Sequence, residues 1–297
     1  MERGREIDIA VDGGLLHVGV WGPDSGDVPV VLAVHGITAS HLSWAPVARQ
    51  LPDVRLIAPD LRGRGRSADL PGPWGMARHA EDLARVVEAL DVPNVLMAGH
   101  SMGAFAAAVF NHMYPALVRQ LLLVDGGLPL PLPPNLSAEQ FTALVLGPAL
   151  SRLSMTFPDR NAYREFWRRH PAFATDWNSD VEAYVDYDLV GQEPELVSCV
   201  RAEAVREDSK DQIEGAALRE AISALASRRF VMLRAPRGLL GEPPGLYQEQ
   251  LLGSYAAAFP GMRYRTVPDV NHYTLLLSER GAAAVAGEIR DLLAEQR

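Results

Sequence analysis

Hydrophobic positions follow two distinct rhythms along this chain. In "EIDIAVDGGLLHVGVWG" apolar and polar residues alternate on either side of Asp12-Gly13-Gly14, which predicts a β-hairpin at the start. A different pattern follows. "VPVVLAVHG", "VRLIAPD", "NVLMAG", "RQLLLVDGG" and "RRFVMLRAP" are short, nearly continuous apolar runs that end in Gly, Asp or Pro. Such runs suit strands buried on both faces of a parallel sheet. Between and after them, "AEDLARVVEALD", "AFAAAVFNHMY", a stretch near 246–258 and "ERGAAAVAGEIRDLLAE" carry apolar residues at helical spacing, and "MRYRTVP" reads as one more strand. Strand, loop, helix and strand in repetition predict an α/β doubly wound sheet.

The rhythm breaks after Gly127. "LPLPLPPNL" is too rich in proline for a regular helix or a central strand. Segments of helical spacing with many aromatics follow, "DRNAYREFWRRH" and "DVEAYVDYDLV" among them, and the strand pattern resumes at Arg228. The predicted organisation is a core in two parts, 1–127 and 228–297, with a helical insertion over 128–227.

Composition narrows the function. The chain has 297 residues, 48% of them hydrophobic, enough for one large buried core. With 28 basic and 37 acidic residues the net charge is −9, which argues against nucleic acid as a partner. Lys210 is the sole lysine, so lysine chemistry elsewhere is excluded, and Cys199 is the sole cysteine, so no intrachain disulfide can form. The opening residues lack an apolar signal segment, and no run reaches the roughly 18 apolar residues needed to cross a bilayer. These features predict a soluble, cytoplasmic protein without a membrane partner. Oligomeric state has no signature in the sequence.

The chemistry centres on "NVLMAGHSMGAFAAAVF". One serine, Ser101, sits between Gly99 and Gly103 where a strand gives way to a helix. Gly-X-Ser-X-Gly in that setting is a nucleophile elbow, a turn so sharp that side chains at the flanking glycines would collide with it. The helix N-terminus adds unpaired N–H groups and a dipole favourable to developing negative charge, and the N–H of Met102 is one candidate oxyanion donor. "AVHGIT" places His35-Gly36 in a loop after an earlier strand, with Ile37 as the second candidate donor and His35 as loop support. His272 lies just beyond the last strand, in "VPDVNHYTLLL".

Taken together, the His-Gly strand end, "DLRGRGRS" from Asp60 to Ser67, the Gly99–Gly103 elbow and the late Asn271-His272 resemble the α/β-hydrolase superfamily, specifically its capped, carboxylesterase-like members. The resemblance implies an eight-stranded, mostly parallel sheet with a helical cap inserted after the sixth strand. It also implies Ser101 as nucleophile, His272 as general base, and no metal or organic cofactor. The orienting acid departs from the family pattern. At the usual offset beyond "FVMLR" this chain has Gly238, and Glu242 is the carboxylate of that loop. Asp125, ending "LLLVD", is the alternative, because some members draw their acid from that strand. The loop position favours Glu242; Asp269 lies too near His272 along the chain to reach round easily.

Other residues take plainer readings. "GRGRS" lacks the Lys-Ser/Thr ending of a phosphate loop and the third glycine of a dinucleotide fold, so its arginines are expected to fix the loop and pair with carboxylates. His17, His41, His79, His112 and His170 have no metal-ligand spacing, His100 is expected to bond locally, and Cys199 is read as a cap residue. Phe166, Trp167, Phe173, Trp177, Tyr184 and Tyr187 are read mainly as cap core, with one or two facing the pocket. The expected activity is hydrolysis of a small apolar carboxylic ester. Thioesters, lactones and carbon–carbon bonds are alternatives on the same residues, and a non-catalytic small-molecule sensor is the competing class. Epoxide and haloalkane hydrolysis are disfavoured, since those families place aspartate where Ser101 stands.

Overall fold

Alternation in the first segment produces strands β1 (Arg5–Val11) and β2 (Gly14–Trp21), which pair antiparallel across a turn where Gly13 takes φ 90°. The five apolar runs become β3 (Val30–Val34), β4 (Arg55–Pro59), β5 (Val95–His100), β6 (Val118–Val124) and β9 (Phe230–Arg234), and "MRYRTVP" supplies β10 (Met262–Thr266). A computed structural model describes residues 4–24, 28–130, 135–137, 140 and 148–295 of the chain. The strands form one sheet in the order β1-β2-β4-β3-β5-β6-β9-β10, antiparallel at β1–β2 and β2–β4 and parallel from β4 onward. Every residue of β5 and β9 is buried, as continuous apolar runs require.

Helices cover both faces. The short α1 (Ala45–Arg49), with Val47 and Ala48, shares a hydrophobic cluster with Val285, Ala286 and Ile289 of the C-terminal helix Glu279–Ala294 on one side. On the other, α2 (Met76–Ala89) and α3 (Met102–Met113) bury Leu83, Val86, Val109 and Phe110 in a second cluster. Two separate apolar clusters around one sheet are the physical content of a doubly wound fold. Among the described residues, no helix is long and apolar enough to cross a membrane.

The chain leaves the sheet after β6 and returns at β9. The intervening stretch holds α4 (Pro148–Ser151), α5 (Arg160–Arg168), α6 (Ser179–Asp188), α7 (Ala202–Glu214) and α8 (Ala216–Leu225). Asp159 and Asn178 cap α5 and α6 by accepting first-turn N–H groups. Much of the proline-dense "LPLPLPPNL", together with residues 138–139 and 141–147, lies outside the described residues. The insertion is not wholly helical: β7 (Leu189–Gln192) and β8 (Glu195–Ser198) pair as an antiparallel hairpin directly after α6. Its last helix, α8, packs Leu218, Ala221 and Leu225 into the cluster of α2 and α3, so this end of 128–227 lies in a core layer. Beyond α8, α9 (Glu249–Ala258) precedes β10, and α10 (Thr274–Leu277) and α11 (Glu279–Ala294) close the chain.

A buried charge cluster joins this insertion to the core. Arg64 and Asp208 are both fully buried and form an ion pair at 2.5 Å, and His79 Nε2 lies 3.0 Å from both Asp208 oxygens. The N–H of Gly75 donates to the same carboxylate at 2.7 Å. Burial alone would raise the Asp208 pKa, but His79 and Arg64 outweigh it and hold the carboxyl down at about 2. Asp208 belongs to α7 and Arg64 to the loop after β4, so the pair ties the two regions at one point. Replacing Arg64 with Met should cost about 3–5 kcal/mol, because it takes the guanidinium from a buried carboxylate and a hydrogen bond from Ile37 O. Urea denaturation of Arg64→Met checks this, and a loss below about 1 kcal/mol would contradict it.

Packing at the start of α3 gives a second stability prediction. A Cβ on Gly103 would run into the carbonyl oxygens of Val34 and His35, and one on Gly99 would meet the backbone of Gly103 itself. These obstacles are main chain and have nowhere to move. Gly103→Ala should therefore destabilise by about 1–3 kcal/mol in a denaturant titration, although alanine has the better helix propensity.

Candidate active site

The parallel strands end along one rim, and each singled-out residue but Glu242 sits on that rim. His35 follows β3, Ser101 follows β5, Asp125 follows β6 and His272 lies beyond β10. In open α/β sheets this carboxyl edge is where ligands bind. Ser101 has φ 55° and ψ −123°, a conformation rarely occupied by residues other than glycine. Its N–H is fixed by Val124 O at 3.0 Å, and a side chain at Gly126 would strike the Ser101 backbone. The end of β6 thus presses the elbow from one side.

Asp125 is strained as well, with φ 46°. Its N–H donates to Leu233 O at 2.7 Å, and its Oδ1 accepts from Ala235 N at 3.1 Å. Its Oδ2 accepts from His272 Nδ1 at 2.7 Å, and both side chains are buried. The carboxylate facing His272 is therefore Asp125, and the loop-based expectation of Glu242 is corrected. Glu242 is exposed, and its carbonyl oxygen accepts from Gly238 N, so that part of the loop folds back on itself. Asp269 is also solvent-facing, paired with Arg280 at 3.1 Å.

The His272 turn is built by Asn271. The Asn271 Oδ1 accepts from the N–H of Tyr273 and Thr274, and its Nδ2 donates to Ala172 O in the insertion at 2.7 Å. His100 adds a brace, its Nε2–H donating to His272 O at 2.9 Å with the two rings 4.6 Å apart. Burial, with His272 nearby, pushes the His100 pKa well below the usual histidine range, so this ring is neutral.

His35 is also neutral, lowered to about 4, chiefly by burial. Leu61 N–H donates to its Nε2 at 2.9 Å, so Nδ1 carries the proton and donates to Gly36 O at 2.8 Å. Both nitrogens therefore bond backbone.

Two arginines hold the loop that carries Ile37. Arg64 Nε donates to Ile37 O at 2.8 Å, and its Nη2 lies 3.9 Å from Met102 Sδ. Arg152 Nη2 donates to the next carbonyl, Thr38 O, at 2.9 Å, while its Nε reaches Tyr163 Oη and Asp188 Oδ2, each at 3.0 Å. Both "GRGRS" arginines pair with carboxylates, Arg64 with Asp208 and Arg66 with Glu6, and the preceding Arg62 meets Asp82. Arg152 has no such motif around it. An arginine in "ALSRLSM" reads as a surface residue until the tertiary fold buries it.

A small cleft opens over this rim. Gly36, Ile37, Ser101 and His272 share its wall with apolar side chains that include Leu239, Leu276 and Leu277. Of the cap aromatics, Tyr184 reaches this cavity. Trp167 and Phe173 pack with Tyr273 in an aromatic cluster, and Tyr187 Oη donates to Asp60 at 2.6 Å. Cys199 is buried and its thiol pKa is raised, chiefly by burial and then by Asp188, so it is a poor nucleophile.

Comparison with known proteins agrees with this architecture. A family model for the alpha/beta hydrolase fold matches residues 29–163. An uncharacterised protein of Mycobacterium tuberculosis is 34% identical over 104 residues, 35% of this chain and 30% of that protein. Lipase LipV of the same organism is 36% identical over 110 residues, 37% of this chain and 41% of the lipase. The chain thus spans less than half the length of the curated relatives it matches. Among solved structures, E-2-(acetamidomethylene)succinate hydrolase superposes with a TM-score of 0.76 at 21% identity, covering 98% of this chain and 100% of the other. Strand order, the carboxyl-edge site and these likenesses lead to one assignment: this chain has the α/β-hydrolase fold.

Proposed function

We propose that this chain is a serine hydrolase that cleaves carboxylic esters of small, largely apolar substrates through an acyl-enzyme. The observation that carries the reading is the His272–Asp125 hydrogen bond beside a serine held at φ 55° on the same cavity wall. With Nδ1–H donated to Asp125, the imidazole presents unprotonated Nε2 as the base. Nε2 takes the Ser101 proton as Oγ attacks the ester carbonyl, and Asp125 steadies the imidazolium that forms. The tetrahedral oxyanion is received by the N–H groups of Met102 and Ile37, each worth roughly 3–4 kcal/mol of barrier by precedent. His272 then protonates the departing alcohol. A water molecule, deprotonated by the same nitrogen, attacks the acyl-serine and releases the acid.

The cavity supports a small acyl group, because its walls are mainly apolar side chains and loop backbone. The relative named as a lipase is consistent with ester chemistry. A non-catalytic sensor of the same fold would have no use for an oriented imidazole, so the Asp125–His272 hydrogen bond favours the enzyme reading.

Ser101→Ala should lower kcat on a p-nitrophenyl ester by about 10⁶-fold, with an unchanged thermal midpoint. Near-normal turnover in that variant would contradict the mechanism. Asp125→Asn should cost about 10⁴-fold in kcat, whereas Glu242→Gln should leave kcat and KM near wild type. The two substitutions, measured side by side with the same ester, separate the two carboxylates.

A further inference from the structure

At the β1–β2 edge of the sheet, three residues converge. In the β1–β2 ladder Asp8 stands opposite His17 and Glu6 opposite Gly19, so Glu6, Asp8, His17 and Gly19 share one face. Gly19 leaves a gap on that face, and His41 fills it: a Cβ at Gly19 would lie 2.5 Å from His41 Cδ2. One donor atom each from Glu6, His17 and His41 thereby lies within 4.8 Å of the other two.

Carboxylates fix both imidazoles from behind. Asp8 Oδ1 is 2.8 Å from His17 Nδ1, and Asp60 Oδ1 is 2.9 Å from His41 Nδ1. Asp60 is fully buried and is itself held by Tyr187 Oη and by the N–H groups of His41 and Arg66. With the Nδ1 atoms engaged, the Nε2 atoms are the remaining donors. The His17 ring is over nine-tenths buried, yet its Nε2 has no hydrogen-bond partner, and the nearest carboxylate oxygen, of Glu6, is 3.6 Å away. An unpartnered buried nitrogen facing a carboxylate is costly unless something sits between them.

We infer that Glu6, His17 and His41 form a binding site for a divalent, zinc-like cation. Two imidazoles and one carboxylate, with water completing the shell, is a ligand set zinc accepts, whereas magnesium and calcium prefer all-oxygen sites. A carboxylate behind each histidine is the arrangement that orients ligating imidazoles in metal sites. Zinc bonds of about 2.0–2.2 Å bring tetrahedral donors to roughly 3.4 Å apart, so the cluster must contract. Glu6 is the ligand free to move, being exposed at the rim. Its present partner, Arg66 at 3.4 Å, is 60% exposed and can swing into solvent. Bound there, the cation would fasten the edge hairpin to the segment after β3, and through Asp60 and Tyr187 to α6.

The test is titration of tag-free, chelator-treated full-length protein with zinc chloride, read by calorimetry and thermal unfolding, with magnesium chloride as control. Saturable 1:1 zinc binding is expected, with Tm raised by about 5 °C at a hundredfold excess over Kd and no response to magnesium. Glu6→Gln, a surface change, should weaken zinc binding at least tenfold without altering ester turnover, and His17→Gln should abolish it. The absence of saturable binding up to 1 mM zinc (roughly the upper end of meaningful Kd values), or binding that persists unchanged in Glu6→Gln, would overturn the assignment.

Discussion

The site depends on how closely main chain approaches main chain at the elbow. Gly99, Gly103 and Gly126 each face backbone where a Cβ would stand, and Ser101 is held between the ends of β3 and β6 at φ 55°. That conformation costs free energy, which the surrounding packing must exceed. The parallel sheet supplies it. β5 is buried along its whole length and hydrogen-bonded on both edges, so the serine at its end has few ways to relax. Asp125, one strand over, is strained in the same sense and bonded in three directions. Strain sits at the two strand ends where directed side chains are needed.

Around that rigid rim, the loop bearing Ile37 is held by charge. Arg64 and Arg152 bond the successive carbonyls of Ile37 and Thr38, and each arginine is paired with an aspartate from the inserted segment, Asp208 and Asp188. Buried arginines of this kind contribute little net stability over an apolar replacement but are expensive to break singly. Their value lies in geometry, because a planar guanidinium bonds carbonyl and carboxylate in fixed directions. The insertion thereby bears on the loop that carries Ile37 as well as reaching the cavity through Tyr184. The histidine cluster at the edge hairpin obeys the same logic, since Asp60 joins His41 to Tyr187 of the same insertion.

What could be read from the sequence was whatever local pattern controls. Continuous apolar runs gave the parallel strands, alternation gave the hairpin, and Gly99-His-Ser-Met-Gly103 marked the turn because only glycines tolerate that approach. The pairing of the "GRGRS" arginines with carboxylates was likewise legible, though not which carboxylates. The β7–β8 hairpin was missed because its two strands span only four residues each, too few for alternation to stand out from a helical neighbour.

Tertiary structure alone decided the rest. Glu242 and Asp125 both stand between Ser101 and His272 in the sequence, and chain order cannot tell them apart. The choice turns on where the β6 strand end points, which contacts with Ala235 and His272 more than a hundred residues away decide, and on a loop that folds back on itself and leaves Glu242 in solvent. Glu6, His17 and His41 have no ligand spacing along the chain, and they meet because strand pairing and the gap at Gly19 bring them together. Sequence determined the elements and the elbow, where neighbouring residues dictate conformation; the fold decided which side chains share a site, because that depends on distances no local pattern encodes.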